Sequence, residues 1–334
     1  MHKPIFLLGA HKSGTSLLRS LFDGHKDVFV VPIEAHFFQH MKWWVDYSLR
    51  RTVPAKLTLD QFIINIKAWV KHYNESEDYQ ADSVARGIFN LRRFNDYVEE
   101  FINTAPGRVG NLFNVDTGTL FKVYVKAIHY SIYGSRLPET GRIVEKSVEN
   151  VEFAMDLQAM FPDAVFIHIV RNPYANLVSI RKYMTKDHYP KLRPIYKSLY
   201  NSYYFLYRNR RLIKNYLVIK YEDLAQNPEP VIKHICDVAG LELTPSMFEP
   251  TFMGKPWKGN STSPEQFKGI SPNRINTWQS EIAPLEVELI NKYLRHVVEE
   301  FEYGVFKMKK SVFIPVRKES LKAYIANRFL WCAG

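Results

Sequence analysis

Ile5-Phe6-Leu7-Leu8-Gly9-Ala10-His11-Lys12-Ser13-Gly14-Thr15-Ser16-Leu17-Leu18 is the most informative stretch of this 334-residue chain. An unbroken apolar run meets a glycine, and Leu17, Leu18, Leu21 and Phe22 then recur at helical spacing. The pattern predicts strand, glycine loop, helix. The loop has the spacing of a phosphate loop: glycines let backbone amides turn inward, and the helix behind them offers its N-terminus to an anion. The ATP-binding form of such a loop carries lysine directly after its second glycine. Here that position is Thr15, and a lysine stands three residues earlier at Lys12. A triphosphate would lose its β/γ partner, which argues against an ATP-dependent kinase.

Outward from this loop, residues 28–31 predict a second short strand stopped by Pro32. Residues 35–105 are aromatic (Phe37, Phe38, Trp43, Trp44, Phe62, Trp69) without alternation, and predict a helical insertion. Another helix is expected over 117–133. Residues 142–144 predict a strand ending in Glu145-Lys146-Ser147, with Asn150 as cap of a helix running to Met160. Residues 164–170, Ala-Val-Phe-Ile-His-Ile-Val, suit a strand buried on both faces of a parallel sheet. Arg171-Asn172-Pro173 ends that strand, and Pro173 fits the first turn of the next helix. Further helices are expected over 194–214, 229–240 and 284–300, and a strand over 217–220. The expected fold class is α/β: a P-loop-like parallel sheet flanked by helices, with a helical insertion (about 35–135) after the second strand. Residues 1–304 read as one such domain and residues 305–334 as a basic amphipathic C-terminal extension.

Composition narrows the partners. Forty-five Lys and Arg against 34 Asp and Glu give a net charge of +11. The excess is concentrated: residues 181–214 hold ten basic residues and one Asp, and residues 305–334 hold seven and one Glu. Such patches favour anionic partners. Nucleic acid is not indicated, because no recognition motif accompanies the charge. The longest stretch without a charged residue, 198–207, is half a membrane span. The N-terminus has no secretory pattern. Two cysteines, Cys236 and Cys332, cannot build a disulfide scaffold, and a reducing compartment fits. A cytoplasmic chain, possible as a peripheral membrane protein, is expected; a Golgi-lumenal chain without its anchor is the alternative. No His or Cys spacing indicates a metal: His36 and His40 are four apart, but at the start of an aromatic helix.

Two motifs carry a resemblance. Residues 12–25, from Lys12-Ser13-Gly14-Thr15-Ser16 to His25, resemble the 5′-phosphosulfate loop of the sulfotransferases, which use 3′-phosphoadenosine 5′-phosphosulfate (PAPS). Residues 165–173 followed by Ser179 resemble the 3′-phosphate motif of the same family: strand, Arg-Asx-Pro, then a serine in the following helix. Residues 219–224 with Asn227-Pro228, and Arg274-Ile275-Asn276-Thr277-Trp278, are similar to further landmarks, so the resemblance runs in register from about residue 4 to about 304. It implies a PAPS-dependent sulfotransferase that releases adenosine 3′,5′-bisphosphate and needs no metal.

The resemblance also implies roles. Sulfuryl transfer is a loose in-line displacement in which positioning and charge stabilisation dominate. Lys12, with Ser13 and the amides of Gly14, Thr15 and Ser16, is expected at the leaving 5′-phosphate, with His11 a further phosphate contact. Arg171 and Ser179 are expected at the 3′-phosphate, and physics agrees: an arginine fork at a strand's C-terminal end suits phosphate. Glu34, before the Phe37-Phe38 pair, takes the register of the family's base, with His36 its rival, and Lys146 is expected to reach the sulfuryl oxygens. Arg274, Thr277 and alternatively Lys268 are expected in a nucleotide lid, although the glycine that family members carry before the tryptophan segment is missing. Residues 221–224 read as structural, and Trp278 as adenine shield or core.

The acceptor is a hydroxyl, expected on a carbohydrate such as a glycan or glycolipid, with tyrosine and small-molecule hydroxyls as rivals. The 181–214 run reads either as a solvated face or as contact for an acidic acceptor. Residues 305–334 read either as a contact for an anionic membrane surface or as a helix packed on the body. From another class, a nucleotide-binding P-loop protein without sulfuryl transfer is the alternative.

Overall fold

The computed structural model describes residues 1–55, 57–75, 86–104, 115–184, 188–259, 267, 269–308 and 319–329. β1 (Ile5–Leu8) leads through the glycine loop into α1 (Thr15–Phe22), and β2 (Val28–Val30) follows. Next come α2 (Phe37–His40), an antiparallel hairpin of β3 (Trp44–Asp46) and β4 (Arg51–Val53), α3 (Leu59–Glu75), α4 (Leu91–Thr104) and α5 (Thr117–Tyr133). The chain returns to the main sheet with β5 (Arg142–Glu145), α6 (Ala154–Met160), β6 (Val165–Val170), α7 (Pro173–Met184), α8 (Leu192–Leu212) and β7 (Tyr216–Lys220). It closes with α9 (Tyr221–Gln226), α10 (Pro228–Ala239), the small hairpin β8 (Thr251–Phe252) and β9 (Lys255–Pro256), α11 (Pro284–Tyr293), α12 (Arg295–Glu300) and α13 (Leu321–Phe329).

The main sheet has strand order β2-β5-β1-β6-β7, and every pairing in it is parallel. β1 lies at the centre, and the chain moves from it first to one side and later to the other. That is a topological switch point, beside which open α/β sheets bind ligands at their C-terminal edge. Parallel strands require both faces covered, and β1 and β6 are buried along their whole length. One apolar core joins β1, β2, β5 and β6 to α1 and the insertion helices; a second gathers α7, α8, α11 and α12. In the first, Phe6 stacks on Phe166 at 5.5 Å and meets Phe121 edge-on at 5.7 Å.

The structure departs from the sequence reading in three places. The stretch read as wholly helical contains the β3–β4 hairpin, whose turn is set by Asp46 Oδ1 accepting from the amides of Ser48 and Leu49. Asn150 does not cap a helix: it lies in a 3₁₀ turn, Val148–Val151, its side chain donates to Glu145, and α6 starts only at Ala154. The helix expected over 284–300 breaks at Leu294, which is fully buried and leaves helical geometry at φ −120°. Of the two readings of the C-terminal extension, α13 takes the one in which a helix packs on the body. Asn327 of α13 donates to the Pro190 carbonyl at 2.9 Å and accepts from the Leu192 amide at 2.8 Å, while Leu321, Tyr324 and Ile325 face outward. Cys236 is a buried free thiol, and Cys332 lies outside the described residues. Among the described residues no helix is long and apolar enough to cross a membrane.

Candidate functional site

Parallel register aligns the candidate side chains along one edge of the sheet. Leu8 pairs with His168, so the chain leaves β1 and β6 side by side, towards Lys12 and Arg171. Val170 pairs with Lys220, which sets Tyr221 level with Arg171. Phe6 pairs with Glu145 and Val30 with Val144, which brings Lys146 and Glu34 to the same edge. Across the sheet the order is Glu34, Lys146, Lys12, Arg171, Tyr221. Two cavities open there, and the glycine loop divides them: Gly9, Ala10 and His11 line one, while Lys12, Gly14, Thr15 and Ser16 line the other.

The second cavity, of about 660 Å³, also takes in Arg171, Ser179 and Arg274. Its loop is built for close approach. A Cβ on Gly9 would lie 2.7 Å from the Ile169 carbonyl, and one on Gly14, at φ +112°, would lie 2.6 Å from the Tyr221 ring. Lys12 itself adopts the left-handed region at φ 61°, uncommon without glycine. Arg171 donates from Nη1 to the Lys12 carbonyl at 2.8 Å, and its guanidinium lies 4.7 Å over the Tyr221 ring. Asn176 of α7 donates to the His11 carbonyl at 2.7 Å, and Glu222 accepts from the Asn172 amide at 2.9 Å. Burial first, then the charges of Lys146 and Arg171, bring the Lys12 ammonium down to about 8. Such crowding of cations is relieved by a bound anion.

Opposite the loop, Trp257 and Phe267 line the cavity, their rings 4.9 Å apart at 62°. Three buried polar atoms in and around this cavity have no partner among the described residues: Ser13 Oγ, Arg171 Nε and Trp257 Nε1. Buried polar groups are ordinarily satisfied, so these residues fit a phosphate-bearing ligand with an aromatic base. Thr277 is exposed and away from the cavity lining, its hydroxyl donating to the Arg274 carbonyl at 3.2 Å. Lys268 lies outside the described residues. Trp278 is buried and stacked on Tyr174 at 5.2 Å, filling core.

The first cavity, of about 850 Å³, is bounded by the loop, by His36, by the 3₁₀ turn with Glu149, and by the first turns of α8. Behind His36, Lys146 and Glu34 lie outside the lining itself: Lys146 donates to Glu34, and the Val148 amide donates to the other Glu34 oxygen at 3.3 Å. Burial would raise the Glu34 carboxyl. The Lys146 ammonium, then His36, overturn this and bring it down to about 2. His36 bonds Glu149 through Nδ1 at 2.6 Å and turns Nε2 to within 3.8 Å of Glu34. Burial lowers the His36 pKa, but its bond to Glu149 and the neighbouring carboxylates outweigh it, and the net direction is upward. Behind them Glu145 ties the segment down: it accepts from the Ala35 amide at 3.3 Å and from Ser147 Oγ at 2.6 Å, while Ser147 accepts from the His36 amide at 3.0 Å. Burial is the main force that pushes the Glu145 carboxyl up to about 7.

Among the described residues, Glu34, His36 and Glu149 also form a group whose possible metal-ligand atoms lie within 4.8 Å of one another. Spacing along the chain did not reveal it, because Glu149 lies 113 residues from His36. Glu34 already faces the Lys146 ammonium and Glu149 faces His36. Sequence reasoning also missed Tyr221, Glu222, Asn176, Trp257 and Glu149. For Tyr221 the signal was present: it follows the last strand of a parallel sheet, where ligand-facing residues gather.

The sequence model of a family described as "Sulfotransferase family" matches residues 4–245, most of the chain and both phosphate motifs. Among solved structures, the sulfotransferase domain from the curacin biosynthetic pathway is similar at TM-score 0.55 and 15% identity, covering 92% of this chain and 99% of that one. The sulfotransferase domain from the Synechococcus PCC 7002 olefin synthase gives 0.52 and 18%, covering 92% and 98%. At such identities the two structures speak for the fold. A comparison with curated proteins gives no match. With the family match spanning the loop, the Arg-Asn-Pro turn and every strand of the main sheet, the chain belongs to the sulfotransferase family.

Proposed function

We propose that this enzyme moves a sulfuryl group from PAPS to an acceptor hydroxyl, with the donor in the cavity of Lys12 and Arg171 and the acceptor in the cavity of His36. The observation that carries this reading is the loop itself: Gly9, Ala10 and His11 line one cavity and Lys12, Gly14, Thr15 and Ser16 the other, so donor and acceptor would meet across it. Bound there, PAPS supplies an activated sulfuryl group. Arg171 and Ser179 would hold the 3′-phosphate, Trp257 and Phe267 would flank the base, and Arg274 would complete the nucleotide's cavity. Lys12 and the amides at the start of α1 take the charge that grows on the leaving 5′-phosphate. Metal is not required by this scheme, because Lys12, Lys146 and Arg171 can meet that charge.

Glu34 accepts the acceptor proton. A carboxylate held near 2 by Lys146 is a weak base at rest. Lys146 turning towards the sulfuryl oxygens frees it, and in a loose displacement the proton leaves late, so orientation counts for more than basicity. A second reading makes His36 the base, favoured because His36 lines the acceptor cavity and Glu34 does not. The polar and tyrosine-rich wall, with Tyr47, Ser48 and Asn201, suits a carbohydrate hydroxyl, in a glycan or glycolipid, better than an apolar alcohol. The outward face of α13, Leu321, Tyr324 and Ile325 beside Lys322, supports contact with an anionic membrane surface.

The test is incubation with labelled PAPS and a panel of glycans, phenols and peptides, alongside thermal shifts. Transfer to at least one hydroxyl is expected, with adenosine 3′,5′-bisphosphate stabilising the protein more than ATP. Equal stabilisation by the two would argue for a nucleotide-binding protein that reads no 3′-phosphate.

A further inference from the structure

The acceptor cavity carries more positive charge than its own residues use. Its two carboxylates beside the loop are engaged, Glu149 by His36 at 2.6 Å and Glu152 by the Tyr47 hydroxyl at 2.7 Å. Arg50 bonds Asn201 at 3.2 Å and lies 4.4 Å over Tyr204. Arg193 and Lys197 are different. They stand four apart on one face of α8, both are exposed and both line the cavity; among the described residues neither has an acidic partner.

Helix energetics does not explain them. Like charges at i and i+4 repel. Cations near a helix N-terminus oppose its dipole, and the first turn of α8 carries no acid to offset them. A sequence chosen only for a stable helix would reverse these signs. Local rules broken without structural compensation point to function. Between the two cations the largely buried Tyr196 also lines the cavity, its ring tilted against Tyr200 at 5.9 Å and Tyr293 at 5.2 Å, an aromatic wall for the body of a ligand.

We infer that the acceptor is a hydroxylated anion: its reactive hydroxyl lies at the His36 end of the cavity, and a carboxylate, sulfate or phosphate elsewhere on the same molecule binds Arg193 and Lys197. This rests on the assignment of the cavity to the acceptor. The anion could belong to a small hydroxy acid or to an acidic sugar within a longer chain, and both present the same chemistry to the two side chains.

The test uses the full-length protein saturated with adenosine 3′,5′-bisphosphate. Calorimetry compares 4-nitrophenyl β-D-glucuronide with 4-nitrophenyl β-D-glucoside, which differ by a carboxylate in place of a hydroxymethyl group. The glucuronide is expected to bind about tenfold more tightly or better, as a charge-assisted contact would give. That preference should fade with added salt and vanish in the Arg193→Gln/Lys197→Gln variant, while bisphosphate stabilisation stays unchanged. A uronate-containing tetrasaccharide separates the sources: a further gain over the monosaccharide assigns the anion to a chain, and no gain to a small acid. Equal binding of glucuronide and glucoside, no binding of the glucuronide, or a preference that survives in the variant overturns the inference. Loss of bisphosphate stabilisation in the wild type would instead break the assignment of the donor cavity.

Discussion

The two cavities share one loop but are built in opposite ways. Beside the glycine loop, the donor side is built of residues that follow directly from neighbouring parallel strands: Lys12 after β1, Arg171 after β6, Tyr221 after β7. The acceptor side is assembled from the 3₁₀ turn at Glu149, the hairpin turn at Ser48 and Arg50, and the first turns of α8. Sheet register fixes the first set, because moving one of its members means moving a strand. The second set hangs on an insertion, a turn and a helix that can change without disturbing the sheet. On the proposed assignment, the difference teaches that one side would read a fixed ligand and the other would decide specificity.

If the division is real, substitutions on one side should leave the other intact. The largest effect is expected from Glu34→Gln. Sulfuryl transfer should fall by about 10²- to 10⁴-fold, the usual worth of a positioned base, with bisphosphate affinity nearly unchanged. His36→Asn sharpens the result: should it cost more than Glu34→Gln, the proton goes to the histidine. Glu34→Gln also removes half of the buried pair with Lys146, so the thermal midpoint should drop. In the wild type the folded Glu34 carboxyl lies below the unfolded one. The stability it contributes is therefore present above the ordinary carboxylate range and is lost as pH falls towards about 2.

Arg171→Ala comes next and addresses the donor side. Isothermal titration should give a bisphosphate dissociation constant raised about 100-fold, the scale of a charge-assisted phosphate contact. Arg171→Lys should restore only part, because an ammonium cannot hold a phosphate and the Lys12 carbonyl in the geometry of a guanidinium fork. Acceptor binding should be unchanged. An equal loss of both affinities would mean that Arg171 serves the loop as a whole through that carbonyl.

The strand, glycine loop and helix start beside Lys12 were legible from residues alone, because the motif and the structure share a cause. A continuous apolar strand, a turn that tolerates no side chain and a helix start must be adjacent in the chain to be adjacent in space. The helix at 117–133 was legible for the same local reason, with Asp116 capping it through the Thr119 amide at 2.9 Å. The acceptor side was not. The hairpin at 44–53 has three-residue strands, too short for an alternation to register. Glu149 meets His36 only because Ser147 and Glu145 fold the β5 exit against residues 35 and 36. Leu294 breaks its helix to fill core, a tertiary demand that helical periodicity does not express.

A smaller effect reports on the donor side through pH. Lys12, at about 8, must be protonated to meet a phosphate, so bisphosphate binding should take up a proton near and above that pH. Affinity is then expected to fall by up to about tenfold per pH unit above roughly 8, the limit for one linked proton. Lys12→Met should flatten the profile while lowering affinity at pH 7. A profile that stays steep in Lys12→Met would locate the proton on another group.

The smallest effect lies on the acceptor side and has an unusual sign. Replacing Arg193 with glutamate puts an acid near the N-terminus of α8 and turns an i,i+4 repulsion with Lys197 into an attraction. On helix energetics alone the thermal midpoint should rise, by roughly 1 °C for a chain this long, while binding of an anionic acceptor is lost. A stabilising substitution that abolishes acceptor binding separates function from fold, since nothing about folding asks for a cation there. Should the midpoint fall instead, Arg193 would be holding the body together, and the basic turn of α8 would lose its claim to a ligand.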